Sequence, residues 1–399
     1  MIGNSVAVIG QGYVGLPLAM SLANLDYKVV GIDVNKEKIG ALNKGKSSIE
    51  DVADKDLLMA LRNGKYEATS DFSKVASSEI VVICVPTPLD RDLKPDLSLL
   101  TSALISISEY LRQNTLIILE STVAPGTTRG LVAKTIENIS GRPISDFNLA
   151  FSPERIDPRN AIWNVSNTPK LVAGLTSKSC ELAIKFYSNI VREVVQCESL
   201  EVAESAKLLE NSFRLINISF INEFSMFCEK LGIDTNSVIE AAATKPYGFM
   251  PFYPSIGVGG HCIPVDPLYL SSKAEEIGAP TKFIDLAIQI NLLRPSTFVD
   301  KAEQVLGELK DKRILVVGVS YKPNVADVRE TPAKELIIAL ENRGAQVFWH
   351  DELVREWNDS KSADLDGNYD LAIIAIRHKY LNLDLLKGTP IIHSSGSIS

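Results

Sequence analysis

Short, β-rich and largely apolar runs recur through the first half of the chain: Ser5 to Ile9, Lys28 to Ile32, Glu79 to Val85, Thr115 to Leu119, and a shorter one near Asn148 to Phe151. Each predicts a strand, and those at Glu79 to Val85 and Thr115 to Leu119 read as buried, as in a parallel sheet. Between them, Leu16 to Leu25 and the more polar Ala41 to Lys65 carry helical spacing. From Glu201 to Leu231 there is neither proline nor glycine, and Leu209, Phe213, Ile216, Phe220, Phe224, Phe227 and Leu231 fall at steps of three and four. This predicts one long amphipathic helix with an apolar packing stripe. Glu204, Lys207, Asn211 and Arg214 lie together on the opposite side, either as a solvated face or turned inward to a cleft between domains. Tyr269 to Leu293 predicts a further helix, with Pro295 as a boundary. Strand, turn and helix then recur: Lys312 to Val317, a helix over Pro332 to Asn342, and strands at Gln346 to Trp349 and Leu371 to Ile376. The pattern predicts an α/β protein of two Rossmann-like, doubly wound domains joined by a central helical domain with one long helix. The expected domains are 1–199, 200–296 and 297–399.

A length of 399 residues agrees with two or three domains. The formal net charge of −8 argues against nucleic acid or an anionic membrane as the main partner. No apolar run reaches membrane-spanning length, and Met1 leads into a strand without a targeting signal. The cysteines (Cys84, Cys180, Cys197, Cys228 and Cys262) are odd in number and contain no CxxC pair. That spacing supports neither disulfides nor a metal site, and it fits a reducing cytoplasm.

Two stretches carry chemistry. Gly10-Gln11-Gly12-Tyr13-Val14-Gly15 stands between the first strand and the first helix, and Asp33 ends the second strand. Dinucleotide binding needs these parts: Gly10 for the turn, Gly12 for backbone approach to the pyrophosphate, Gly15 for helix packing, and an acid for the ribose hydroxyls. The acid repels a 2′-phosphate, which favours NAD over NADP, while Lys36 and Lys38 pull the other way. The loops holding Thr87 and Thr122 follow two buried strands, where ligands sit in such sheets; either threonine could instead cap a helix. Ser152 to Arg159, bracketed by prolines, brings Glu154, Arg155, Asp157 and Arg159 into one irregular loop suited to a phosphosugar. Gly318 stands alone, which argues against a second dinucleotide. The second stretch is Gly257-Val258-Gly259-Gly260-His261-Cys262-Ile263-Pro264-Val265-Asp266-Pro267. A cysteine behind two glycines is a candidate nucleophile with His261 and Asp266 as proton or charge partners, or else a small buried hydrophobe.

In this order the motifs resemble those of the nucleotide-sugar dehydrogenases, the UDP-glucose/GDP-mannose 6-dehydrogenase family, over essentially the whole chain. The matching residues are the glycine turn, Asp33, Val85-Pro86-Thr87-Pro88, Ser121-Thr122, Ser152-Pro153-Glu154, Lys207 with Asn211, Gly259 to Cys262 with Asp266, and Tyr321-Lys322 with Asp327 and Arg329. The resemblance implies oxidation of a UDP-sugar C6 alcohol to the carboxylate with two NAD in succession. Cys262 would capture the aldehyde as a thiohemiacetal, which is then oxidised to a thioester. Lys207 would stabilise oxyanions, Asn211 would orient the substrate, Asp266 and Thr122 would handle protons, and Glu154 would serve in hydrolysis. Among the cofactor contacts it implies Gly10, Gly12, Tyr13, Val14, Gly15, Asp33, Lys38, Thr87, Thr122 and Arg329. For the sugar nucleotide it adds Arg155, Arg214, Tyr253, Gly259 and Lys322 to Glu154, Lys207 and Asn211, and the long helix would pair two copies in a homodimer. The stretch Tyr247 to Pro254, and Val265 where UDP-glucose members carry lysine, resemble the branch acting on UDP-N-acetylhexosamines, UDP-N-acetylglucosamine above all, for surface polysaccharide. UDP-N-acetylmannosamine or UDP-glucose oxidation, a two-electron hydroxyacid dehydrogenase and a non-catalytic nucleotide-binding regulator are the alternatives.

Overall fold

The computed structural model describes residues 3–49, 51–156, 162–260, 262–386 and 388–398, and the chain divides into two compact units: Met1–Leu209 with Leu268–Lys273, and Glu210–Pro267 with Ala274–Ser399. The first is built on strands β1 (Ser5–Ile9), β2 (Lys28–Ile32), β3 (Tyr66–Thr69), β4 (Ile80–Ile83), β5 (Leu116–Leu119), β6 (Asn148–Phe151), β7 (Lys170–Gly174) and β8 (Val194–Gln196), interleaved with helices α1 (Gly15–Asn24), α2 (Lys36–Leu42), α3 (Asp54–Arg62), α4 (Ser98–Ser108), α5 (Ala133–Ser140) and α6 (Ser177–Tyr187). Sheet order is β3-β2-β1-β4-β5-β6-β7-β8, and pairing is parallel except between β6 and β7. Successive side chains point to opposite faces, so Val6 and Val8 join one hydrophobic layer while Ala7 and Ile9 join the other. The order reverses between β1 and β4, and at this switch point ligands bind at the carboxyl ends of the strands.

Helix α7 (Leu200–Leu231) runs without a break through the predicted segment. Its orientation chooses between the two facings that the sequence leaves open, with Glu204, Lys207 and Asn211 on the inner side. Leu209, Phe220 and Phe227, on the expected packing stripe, are 65%, 64% and 56% exposed, while Glu204, Lys207 and Asn211 on the polar side are buried; Arg214 is exposed. The buried face is carried by Ala203, Leu208, Leu215, Ile221 and Cys228 with small polar residues among them. Two of those polar groups bond segments far along the chain: Ser219 Oγ donates to the Ala287 carbonyl at 2.8 Å, and Asn222 Oδ1 accepts the Ser255 amide at 2.8 Å, while Ser212 Oγ and Asn222 Nδ2 are buried without a hydrogen-bond partner among the described residues. Periodicity gives the spacing of a stripe but not its direction, and bonded serines and asparagines allow the less apolar face to be the inner one.

Three helices follow, α8 (Thr235–Ala243), α9 (Asp266–Glu276) and α10 (Lys282–Leu306). The helix expected over Tyr269 to Leu293 is therefore two, separated by a turn in which Gly278 has φ 74°. Pro295 lies inside α10 and ends no helix, contrary to expectation. The remaining elements are β9 (Arg313–Val317), α11 (Pro332–Asn342), β10 (Gln346–His350), the small hairpin β11 (Glu356–Trp357) and β12 (Ser360–Lys361), β13 (Leu371–Ile374) and β14 (Ile391–Ile392). They form a parallel sheet of order β10-β9-β13-β14, a second doubly wound sheet as expected. Among the described residues, no helix is long and apolar enough to cross a membrane.

Candidate active site

In the first unit the glycine turn is fixed by close backbone contact. Gly10 has φ 92°, and a Cβ there would lie 2.6 Å from the Cys84 carbonyl oxygen; one on Gly15 would lie 1.8 Å from that of Gly10. No side chain fits at either position. Gly12 is different, because a Cβ would meet nothing within 4 Å. Protein packing therefore leaves open space where pyrophosphate would approach the backbone at the start of α1, which fits a dinucleotide. Tyr13 is exposed beside it and Val14 leads directly into α1. The turn has a buried prop that sequence reasoning missed: Gln11 Nε2 donates to the Val8 carbonyl at 2.9 Å, and Gln11 Oε1 accepts from the Tyr66 hydroxyl at 2.8 Å. As a variable position of the motif, Gln11 carried no signal.

Asp33 follows β2 and accepts the Gln11 amide at 2.9 Å, the Asn35 amide at 2.9 Å and Lys38 Nζ at 2.8 Å. Burial raises its proton affinity, but the Lys38 and amide hydrogen bonds outweigh it and hold the carboxyl below its ordinary value. An anion is thus fixed at the end of β2, and Lys38 is its ion-pair partner. Asp33→Ala is expected to raise the KM for NAD about ten- to hundredfold, with little change in the KM for the sugar nucleotide, because a charge-assisted acceptor is lost. Steady-state kinetics with each substrate varied in turn check this.

The loops after β4 and β5 are tied together. Thr87 Oγ1 donates to the Thr122 carbonyl at 2.8 Å and Ser121 Oγ to that of Val85 at 2.7 Å, while the Tyr269 hydroxyl donates to the Thr87 carbonyl at 3.1 Å. Neither threonine caps a helix. That task belongs to Glu204, whose carboxylate takes the Gly126 amide at 2.6 Å and the Thr128 amide at 2.9 Å, with the Thr128 hydroxyl at 2.6 Å. Glu154, after β6, accepts the amides of Arg155 and Ile156, each at 2.7 Å, and Lys170 Nζ at 3.0 Å. Lys170 also meets Glu120 at 3.2 Å. Arg155 Nη1 donates to the Pro169 carbonyl at 2.8 Å. Asp157, Arg159 and His261 lie outside the described residues. Lys207 is buried, and its charge is one of the influences holding Glu154 low.

In the second unit, Asn211 Nδ2 donates to Asp266 Oδ2 at 2.6 Å, with both residues buried. Asp266 opens α9, and its amide donates to the Cys262 carbonyl at 2.9 Å. Cys262 is exposed, unlike buried Cys84, Cys180 and Cys228, which speaks against the small-hydrophobe alternative. The two glycines before it lie against the loop after β9. A Cβ on Gly259 would be 2.6 Å from the Glu330 carbonyl oxygen, one on Gly260 would be 2.7 Å from the Tyr321 ring, and the Gly260 amide donates to the Arg329 carbonyl at 3.2 Å.

That loop also carries Arg329, whose Nε donates to Asp327 Oδ1 at 2.9 Å, and Lys322, whose Nζ lies 5.8 Å from the Tyr321 ring centroid. Tyr253 is exposed. Two residues unforeseen from sequence hold the approach to Cys262: Asn291 Oδ1 accepts the Val258 amide at 2.7 Å, and Arg294 Nε donates to the Ser255 carbonyl at 2.9 Å. Burial lowers the Arg294 pKa to about 10. In the second sheet Asp351 follows β10 as Asp33 follows β2, but it is buried against His378, with Oδ2 and Nε2 3.1 Å apart. Burial raises its pKa and the bonds to His378 and the turn amides bring it down to about 2. Among the described residues, no group of three His, Cys, Asp or Glu is placed to hold a metal.

A dinucleotide turn with an anion at the end of β2, together with an exposed cysteine beside a buried Asn–Asp pair, defines an NAD-dependent oxidoreductase of the nucleotide-sugar type. The chain matches the UDP-glucose/GDP-mannose dehydrogenase family in its NAD binding domain (residues 4–194), central domain (201–292) and UDP binding domain (315–392), and it belongs to that family. It is 35% identical to the UDP-N-acetyl-D-mannosamine dehydrogenase of Pyrococcus horikoshii over 94% of this chain and 89% of that protein. To the UDP-N-acetyl-D-glucosamine 6-dehydrogenase of Pseudomonas aeruginosa it is 34% identical over 94% and 90%. A solved structure of the P. horikoshii UDP-D-ManNAc dehydrogenase covers 98% of this chain and 95% of its own, with TM-score 0.89 and 32% identity. That of a UDP-glucose dehydrogenase from Pyrobaculum islandicum covers 98% and 94%, with TM-score 0.90 and 27% identity.

Proposed function

We propose that the protein oxidises the C6 alcohol of a UDP-N-acetylhexosamine, UDP-N-acetylglucosamine above all, to the carboxylate. The observation that carries this reading is the exposed Cys262 at the head of α9, whose first residue Asp266 is fixed by Asn211. A two-electron dehydrogenase needs no thiol, whereas a four-electron oxidation at one carbon needs a way to hold the aldehyde. NAD, when bound, accepts the hydride in each oxidation. Asp266 and Thr122 handle the alcohol proton, and the Cys262 sulfur adds to the aldehyde to give a thiohemiacetal. Lys207 stabilises the oxyanion, Asn211 orients the sugar, and the second oxidation leaves a thioester on Cys262. Glu154 takes a proton from water as that water attacks the acyl carbon, and the carbon–sulfur bond breaks with its electron pair on sulfur. Lys38, Thr87 and Arg329 serve the cofactor; Arg155, Arg214, Tyr253, Gly259 and Lys322 serve the sugar nucleotide.

The choice of sugar rests on the Tyr247 to Pro254 stretch and Val265. A second reading, UDP-N-acetylmannosamine, is favoured by the P. horikoshii relative. A panel of UDP-sugars with NAD separates them: kcat/KM is expected to be highest for UDP-N-acetylglucosamine, and a higher value for the manno epimer would reverse the choice.

We assign the exposed stripe of α7 to a homodimer contact. Phe220, Phe224 and Phe227 form an aromatic ladder, with centroids 6.3 and 5.7 Å apart, flanked by exposed Leu209 and Leu231. So much apolar surface on one face is costly in water, and a second copy of the same helix offers a matching face. Sedimentation at micromolar concentration is expected to give a dimer that Phe220→Asp converts to monomer; a wild-type monomer would remove the assignment. In this reading the domains are 1–199, 200–296 and 297–399, and the enzyme works in the cytoplasm where nucleotide sugars are made.

A further inference from the structure

Behind Glu154, inside the first unit, lies a charged cluster that the reaction scheme does not use. Lys170 Nζ sits between Glu154 Oε2 at 3.0 Å and Glu120 Oε2 at 3.2 Å, and 5.2 Å from the centroid of the Tyr187 ring. The Tyr187 hydroxyl donates to Glu120 Oε1. Lys170, Glu120 and Tyr187 are buried, whereas the Glu154 side chain keeps 20% exposure. The cluster is thus closed at the Glu120 end and open at the Glu154 end.

We propose that Lys170 is a positioning residue that fixes Glu154 for thioester hydrolysis, and that Glu120, through the ammonium it shares, sets how readily Glu154 accepts a proton. The proposal rests on the reading of Glu154 as the hydrolytic base. A carboxylate has about four lone-pair directions. Two amides and one ammonium fill three of those of Glu154, so a single direction is left for water, and the carboxylate cannot turn away from it.

The charges explain why Glu120 is there. Lys170 alone would make Glu154 a weak base, since an adjacent cation favours the ionised form. Glu120 draws on the same ammonium and opposes that effect. Two carboxylates with one ammonium carry one net negative charge; a proton arriving on Glu154 brings the trio to neutrality, and Lys170 then keeps Glu120 as its counter-ion. At rest the two carboxylates are held apart in proton affinity. Burial raises Glu154 but Lys170 and the amides hold it below its ordinary value, while burial keeps Glu120 above its own despite Lys170 and Tyr187. Among the described residues, the other groups facing the trio are Tyr187 and Cys84, both pushed well up by burial and hence neutral, and Lys207, which adds to the lowering of Glu154.

The test follows hydrolysis of the acyl-enzyme formed in one turnover with UDP-N-acetylglucosamine and NAD, as a function of pH, for wild type, Lys170→Met, Lys170→Arg, Glu120→Gln and Glu154→Gln. With Lys170→Met the acid limb is expected to move up by about one pH unit, because a cation is lost, and hydrolysis at neutral pH is expected to slow. Lys170→Arg should restore most of the rate. Glu120→Gln should move the limb down by about one pH unit, because an anion is lost. Limbs that stay put, or that shift in the same direction in the two variants, would overturn the proposal. If Lys170→Met does not fold, the near-isosteric Glu120→Gln still decides, since lost packing does not lower an acid limb. If Glu154→Gln hydrolyses its acyl-enzyme normally, the base assignment itself fails, whatever the limbs do.

Discussion

Cys262→Ala is expected to abolish carboxylate formation while leaving NAD binding intact. The glycine turn and Asp33 belong to the first unit and Cys262 to the second, so cofactor affinity should match wild type. Without the thiol no aldehyde can be held covalently, and the loss should reach the scale associated with removing a nucleophile, about a millionfold in kcat. Serine keeps the size but is a poor nucleophile without a dedicated base, so Cys262→Ser should also fall short by orders of magnitude. A structural cysteine would behave differently. Its removal would cost about 1 kcal/mol of stability and little turnover per folded molecule. Melting temperature, NAD affinity and NADH production on one preparation separate the two.

Glu154→Gln is expected to stall after the chemistry of oxidation is complete. Gln keeps the shape and can still accept the amides of Arg155 and Ile156, but it cannot take a proton from water. Losing a general base costs about a hundredfold to ten-thousandfold. The predicted pattern is a rapid burst of two NADH per active site, then a slow steady rate, with the enzyme trapped as a thioester that hydroxylamine releases. Intact-protein mass spectrometry should find the added mass of the UDP-linked uronyl group, and peptide mapping should place it on Cys262. A uniform slowing of both NADH steps without a burst would place Glu154 in oxidation or binding instead.

What the sequence made legible was whatever a backbone constraint or an uninterrupted apolar run dictates. Gly10 and Gly15 can be read because no Cβ fits there, and β4 and β5 because strands buried on both faces must be apolar throughout. The sequence allows two facings of α7 and does not choose between them. Its spacing was right, yet the phenylalanines point out and Lys207 and Asn211 point in, because burial of a polar side chain depends on partners elsewhere in the chain. Asn211 shows this directly, since its partner Asp266 is 55 residues away. Lys170 was invisible for the same reason. It opens a short apolar strand and resembles any strand-edge lysine, and only the fold brings it to Glu120 and Glu154. Pro295, which the sequence offers as a boundary, lies inside α10 instead.

The central claim is that one enzyme carries a sugar alcohol through four electrons by way of Cys262. The most direct measurement is the ratio of NADH formed to UDP-N-acetylglucosamine consumed at completion, with the product identified by mass spectrometry. The account predicts two NADH per sugar and a C6 carboxylate; one NADH per sugar, with an aldehyde or ketone as the released product, would contradict it.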